Sequence, residues 1–444
     1  MNRQSGNLQK WLAVLLGAVV LLVPALYNGY PMVDPDAGTY IASGFKFDTP
    51  IDRPITYGLL VRMFSLNGFS LWGVVATQAL LLSWLLTDVV EIVLAEKFRA
   101  VFSIGIIAVL SCATSLPWLV GMIHPDIFTA VCFLLLFKIT VSAKPKWWWY
   151  LFFWVAVAVH MSHPLLFTGF SVVLIVVAKF VFPGANPQLW KRYLLTASLS
   201  LSTILIMGSA ISKSKHVFLT GTLVEKGVLK VFLKEQCATH NYQLCRYYNE
   251  LPETSDGFLW NESGPLYKIG GWSESKKELT QMDHDLLTTP RYLWMYCSSS
   301  IRQFFKQLNY FDILTGTFNF PPGSNVHLQI SAYVPRDIHG FEKATQNRID
   351  LPEELIPFKL YLRWIVYLSA VVLLLMLALR SKSFNSQLKI VLIICLGGYI
   401  LNIADFSLLA TVSGRYAAKM VWVIPFLCLL TAFYLRLNKK VQKT

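Results

Sequence analysis

A chain of 444 residues that is 55% hydrophobic and only 14% charged is too apolar for an ordinary globular protein and reads as a multispanning membrane protein. Its formal net charge of +14 does not mark a nucleic-acid binder, because the Lys and Arg residues sit in short segments between apolar runs rather than in patches interleaved with aromatics. Long apolar runs without strict alternation select helices over a barrel.

In chain order, spans are predicted at Trp11 to Tyr27, Leu71 to Leu94, Val101 to Val120, Asp126 to Val141, Trp147 to Met161, Pro164 to Phe182 and Leu194 to Ile211. Three more follow at Leu360 to Leu379, Leu388 to Ala404 and Ala418 to Leu435. The expected fold class is an all-α polytopic membrane protein with about ten transmembrane helices, each near the ~20 residues that a ~30 Å hydrocarbon core requires. "VPALYNGYP" after the first run is a poor cleavage site, so that run is expected to stay as an anchor.

Short cytoplasmic loops carry excess Lys and Arg. Arg3 and Lys10, Lys97 and Arg99, Lys144 and Lys146, Lys191 and Arg192, Arg380, Lys382 and Lys389, and Arg436, Lys439, Lys440 and Lys443 fall in every other connection. This pattern predicts a multi-pass plasma (inner) membrane protein with both termini cytoplasmic and residues 212–359 extracytoplasmic. Three domains are expected: an N-terminal bundle at 1–211, whose first outward loop is 28–70, an inserted mixed helix and loop domain at 212–359, and C-terminal helices at 360–444.

The first outward loop carries "YPMVDPDAGTYIASG", with Asp34 and Asp36, then "DRPITYGLLVRMFSLNG", with Asp52 and Arg53. In that second stretch Ile55, Leu59, Leu60 and Phe64 recur at helical spacing and predict an amphipathic helix on the outer leaflet. "MIHPDIF" places His124 and Asp126 at the head of a span, where an acidic residue also complements the helix dipole. "VHMSHP" brings His160 and His163 three apart, as a metal pair or, more simply, as interfacial turn histidines. In the inserted segment, "CATHNYQLC" is expected to close through Cys237 and Cys245 if that side is oxidising, leaving Cys297 free, and "LPETSDGFLWNESG" reads as loop. Asp405, Arg415, Tyr416 and Lys419 flank the last hairpin, where Arg415 could equally be a snorkelling anchor or the partner of Asp405. By the predicted topology nearly all these polar groups share one face, and ionisable groups at membrane edges are usually functional.

On the acidic "DPD" pair, the helix after it, "HPD" and "GRYAAKMVWVIPF", the transmembrane portion resembles the GT-C class of integral-membrane glycosyltransferases, such as protein O-mannosyltransferases and aminoarabinose transferases. Many relatives carry the soluble domain after the last helix; here it is inserted before the final spans. The resemblance implies transfer of a sugar from a polyprenyl-phosphate donor to a lipid, glycan or protein acceptor in a cell envelope. It implies an inverting displacement with Asp36, or secondly Asp34, as general base, the other positioning the acceptor or a divalent ion. Donor-phosphate charge would fall to Arg415 with Tyr416, or to Arg53. His124, Asp126 and His163 would support the carboxylates or hold a metal. The competing readings are a polysaccharide polymerase or ligase, built on Arg291, Arg302, His327, Arg336 and His339, and a transporter or flippase, which would need polar groups near the bilayer midplane.

Overall fold

Prolines, glycines and short polar breaks cut the apolar runs into pieces of unequal length. A computed structural model describes residues 3–95, 98, 100–181, 188–206 and 215–441. Phe182 and Ile211, expected ends of two spans, and the cations Lys97, Arg99 and Lys443 lie outside the described residues. The described chain is helical almost throughout; its one parallel bridge joins Met32 to Met122. The elements used below are α1 Arg3–Leu21, α2 Pro35–Lys46, α3 Thr56–Phe64, α4 Trp72–Leu94, α5 Ile127–Val141, α6 Trp147–Ala158, α7 His163–Val176, α8 Lys215–Glu225, α9 Lys276–Thr288, α10 Pro290–Asn309, α11 Ile356–Arg380 and α12 Ser386–Leu409.

The expectation of about ten spans is corrected. Among the described residues, four helices are long and apolar enough to cross a membrane: Trp72–Leu94, Ile356–Ser383, Ser386–Leu409 and Gly414–Asn438. The other apolar helices are too short: α6 has 12 residues and α5 has 15, which at 1.5 Å per residue reach only about 18 and 22 Å. α5 is a packing element. Every residue of α5 from Ile127 to Thr140 is buried within the protein, so its hydropathy serves a protein interior. The polytopic GT-C scaffold is therefore replaced by a densely packed helical structure with four candidate spans.

The chain forms two compact units, one of residues 1–211, 312–400 and 418–444, the other of 212–311 and 401–417. In the first, α2 and α3 cross so closely that a Cβ on Gly44 would lie 2.0 Å from the Gly58 carbonyl oxygen. This contact turns Tyr57, Gly58 and Val61 inward and leaves Leu59 and Met63 exposed, so the apolar stripe predicted from Ile55, Leu59, Leu60 and Phe64 is not the face that packs. Charge inside α4 and α5 is paired. Asp88 of α4 binds Lys10 of α1 at 2.7 Å and also Lys138 of α5, which satisfies ions that would otherwise be costly there.

The second unit builds its own core from Val217, Leu229, Phe258, Leu266, Leu279 and Met282 among others. Cys237 and Cys245 are disulfide-bonded and Cys297 is free, as their spacing suggested. Within "LPETSDGFLWNESG", residues Ser255–Trp260 are helical, not loop, because the Thr254 hydroxyl accepts from the Gly257 N–H and caps the turn. Between α8 and α9 the Thr220 hydroxyl donates to the buried carboxylate of Asp283 (3.0 and 3.1 Å). Burial nevertheless pushes Asp283 up to about 7. A raised carboxyl pKa favours the folded state below the ordinary value near 3.9, and that contribution is lost as pH rises through about 7. Asp283→Asn should therefore raise the melting temperature of the full chain at about pH 8 and change it little at about pH 4. Equal shifts at both would contradict a protonated Asp283.

Candidate metal centre

The stretch that carries Asp34 is held by contacts from far along the chain. Met32 donates its N–H to the Gly121 carbonyl (2.9 Å) and accepts from the Ile123 N–H (2.9 Å). The Gln346 side chain accepts from the Val33 N–H (3.1 Å) and donates to the Val33 carbonyl (3.0 Å), behaving as a surrogate strand. Below them Gln78 of α4 donates to the carbonyls of Val120 and Met122 and accepts from the Tyr57 hydroxyl. Two segments some ninety positions apart are thus laid side by side, "MVDPD" against "MIHPD".

"DPD" is first a helix start. Asp34 is the N-cap of α2 and accepts from the Ala37 N–H (3.1 Å); Pro35 occupies the first helical position, and Asp36 stands in the first turn at the positive end of the dipole. Each carboxylate commits one oxygen to the protein and turns the other to His124. Asp34 uses Oδ1 for its cap and sets Oδ2 3.5 Å from His124 Nε2. Asp36 meets Arg53 Nη1 through Oδ1 (2.9 Å) and sets Oδ2 3.4 Å from the same nitrogen. Asp34 is wholly buried and the His124 side chain is 3% exposed, whereas the Asp36 side chain is 27% exposed and forms the open side.

Arg53 is itself fixed by Asp52, which accepts from Nε (2.9 Å) and Nη2, and its guanidinium lies over the Tyr40 ring. Behind His124 stands Asp126, whose backbone N–H donates to Nδ1 (3.2 Å) and whose Oδ2 lies 3.3 Å from it. Asp126 occupies the cap position of α5 without a side-chain cap bond. Its carboxylate instead meets His160 Nε2 (3.6 Å) and Lys419 Nζ (3.7 Å). Burial, reinforced by the Lys419 ammonium, holds His160 well below the ordinary histidine range. His160 is therefore neutral. Lys419 is fully buried and placed by its neighbour, since the Ala418 carbonyl accepts from the Ser115 hydroxyl (2.6 Å).

Asp34, Asp36 and His124 each turn one donor atom into a space where all three lie within 4.8 Å of one another. This cluster can coordinate a divalent metal ion. Donors bound at ~2.1 Å stand about 3.0 to 3.5 Å apart, which is the spacing found between His124 Nε2 and the two carboxylates. Two carboxylates and an imidazole suit Mn²⁺, Zn²⁺ or Mg²⁺. Asp126 stands beside Nδ1, on the far side of the imidazole from Nε2, and holds the ring with Nε2 facing the ion.

Of the residues singled out in the sequence, Asp34, Asp36, Arg53, His124 and Asp126 meet here. His163 stacks on His160 (4.9 Å between centroids), but its nitrogens are taken by the Thr129 hydroxyl (2.8 Å) and the Ala156 carbonyl (3.1 Å), so it serves α5, α6 and α7 packing. Arg415 and Tyr416 belong to the second unit. There the Tyr416 ring stacks on Phe406 at 3.9 Å, and the Arg415 guanidinium lies over the Tyr416 ring. Lys419, singled out in the last hairpin, supports Asp126 here; Gln78 and Gln346 were not anticipated. Lys419 left a signal, a lone cation inside the apolar "AAKMVWVIPF"; the two glutamines left none.

No protein-family model, no curated protein and no solved structure matches this chain. The GT-C resemblance does not hold. Its short motifs have local explanations here, as a capped helix start in "DPD" and a buried ion pair in "GRYAAKMVWVIPF", and the scaffold has four candidate spans. The glycosyltransferase assignment falls with it, as do the competing polymerase, ligase and transporter or flippase readings.

Proposed function

We propose that the chain is a membrane-associated protein that holds a divalent cation on Asp34, Asp36 and His124 and uses it to bind a phosphate-bearing ligand. One observation carries this reading: two carboxylates, each with one oxygen held by the protein, turn the other toward a single imidazole nitrogen. A bound cation and the Arg53 fork would offer complementary charge to phosphate oxygens on the side opened by Asp36. A polyprenyl-phosphate-linked sugar belongs to that ligand class, and so do the phosphate headgroups of ordinary lipids. The chain's own residues position the ion: α2 presents the carboxylates, and Asp126 keeps the imidazole aligned.

Four candidate spans among the described residues support a multi-pass arrangement, and Arg380, Lys382, Lys389 and Arg436 at one end of the last three support a cytoplasmic side for that end. The Cys237–Cys245 bridge supports an oxidising, extracytoplasmic setting for residues 212–359.

The test is a Mn²⁺ titration of the purified protein in detergent, followed by electron paramagnetic resonance and calorimetry. One ion per chain is expected. Binding of a short-chain phospholipid phosphate should then require that ion. A titration in which the wild type takes up no more Mn²⁺ than Asp36→Asn would refute the site.

A further inference from the structure

The second unit carries an amphipathic surface that the metal site does not use. The buried face of α10 is fastened to the end of a candidate span. Tyr296 donates its hydroxyl to the Leu408 carbonyl, in the last turn of α12, and Gln307 exchanges hydrogen bonds with Ser413 (2.8 and 2.9 Å) just beyond it. Lys226 also donates to the Leu408 carbonyl (3.2 Å). Where an apolar span ends, hydrocarbon gives way to headgroups. That places α10 at the depth of the interface.

The opposite face of α10 is apolar and uncovered. Trp294, Ile301 and Phe305 are 72%, 58% and 60% exposed, and at positions i, i+7 and i+11 they form one stripe along the helix. On one flank of that stripe, Arg302 and Lys306 are exposed. Arg302 holds its guanidinium against the Ser299 hydroxyl (2.9 Å). A helix with an apolar stripe, an aromatic residue and flanking cations is the pattern that lies in a bilayer interface, with its cations among anionic headgroups.

We infer that α10 is an in-plane membrane helix, docking the second unit onto an anionic lipid surface through Trp294, Ile301 and Phe305, with Arg302 and Lys306 engaging lipid phosphates. The inference stands apart from the metal centre, which lies in the other unit, and rests on α12 crossing the membrane.

The full chain is reconstituted in phosphatidylcholine vesicles with and without phosphatidylglycerol, with the photocrosslinker p-benzoylphenylalanine at position 301 or 305, or at the exposed Lys277 as control. Only variants that keep the wild-type melting temperature are read. Phospholipid adducts should form several-fold more at 301 and 305 than at 277, and phosphatidylglycerol should be over-represented among them. Combining Arg302→Gln with Lys306→Gln should abolish that over-representation and leave the adducts themselves. Adducts no more frequent than at 277 would overturn the inference, and so would crosslinks to a second copy of the chain or to another protein. Loss of Mn²⁺ binding in Asp36→Asn should leave the lipid adducts unchanged.

Discussion

Asp34→Asn is expected to lose divalent-metal binding while keeping the fold, and Asp34→Ala to lose both the metal and part of the stability. The difference follows from the two tasks of one carboxylate. Oδ1 caps α2 by accepting from the Ala37 N–H, and Oδ2 faces His124. Asparagine caps helices as well as aspartate does, so the Asn variant should melt close to wild type, whereas alanine should cost about 1 kcal/mol. Neither variant offers a charged oxygen to the ion. Removing a mere supporting partner weakens metal sites by about 10- to 100-fold, so losing a direct ligand should exceed that, and Asp126→Asn should fall within it. Calorimetric Mn²⁺ titration and thermal melts in one detergent would measure both quantities. If Asp34→Asn bound Mn²⁺ as the wild type does, Asp34 would be a helix cap and nothing more.

The largest stability loss is expected from Lys419→Met. Its ammonium stands 3.7 Å from the Asp126 carboxylate, and the two side chains are 0% and 2% exposed. Breaking such a pair from one side leaves a charge in a low-dielectric interior, which typically costs about 3–5 kcal/mol. Removing both charges is far milder. Lys419→Met combined with Asp126→Asn should therefore recover much of the loss, as the cycle of single and double variants would show by denaturant unfolding. A single-variant loss under about 1 kcal/mol would mean that water or another group compensates Asp126. Because Asp126 also lies beside His124 Nδ1, the double variant should regain stability without regaining full metal affinity. Structural and site roles would then separate.

That the apolar runs are helical is legible, because none alternates as a strand must. The number of spans is not, and α5 and α11 show why. Both are long runs of aliphatic and aromatic residues, yet α5 is enclosed by protein along its length, while α11 leaves Leu360, Trp364, Leu368, Val371 and Leu375 exposed. Hydropathy measures distaste for water and cannot tell a lipid neighbour from a protein one. The candidate site was partly legible for the opposite reason. Carboxylates and histidines are costly beside apolar helices and therefore conspicuous, which picked out Asp34, Asp36, His124 and Asp126. What held them together was hidden. The register between Met32 and Met122 and the amide of Gln346 depend on contacts with no local periodicity. Nor did spacing reveal that Asp34 serves a backbone N–H before it serves any ion.

The Gln346 amide that stands in for a strand beside Val33 lies 313 positions further along the chain, and Lys419 comes later still. A ribosome adds all the intervening residues before either arrives. Nascent protein must therefore carry its acidic pair unassembled over that stretch of synthesis, and any truncated product ending before residue 346 lacks the piece that aligns it. The alignment of the candidate ion site therefore waits on residues made long after its carboxylates.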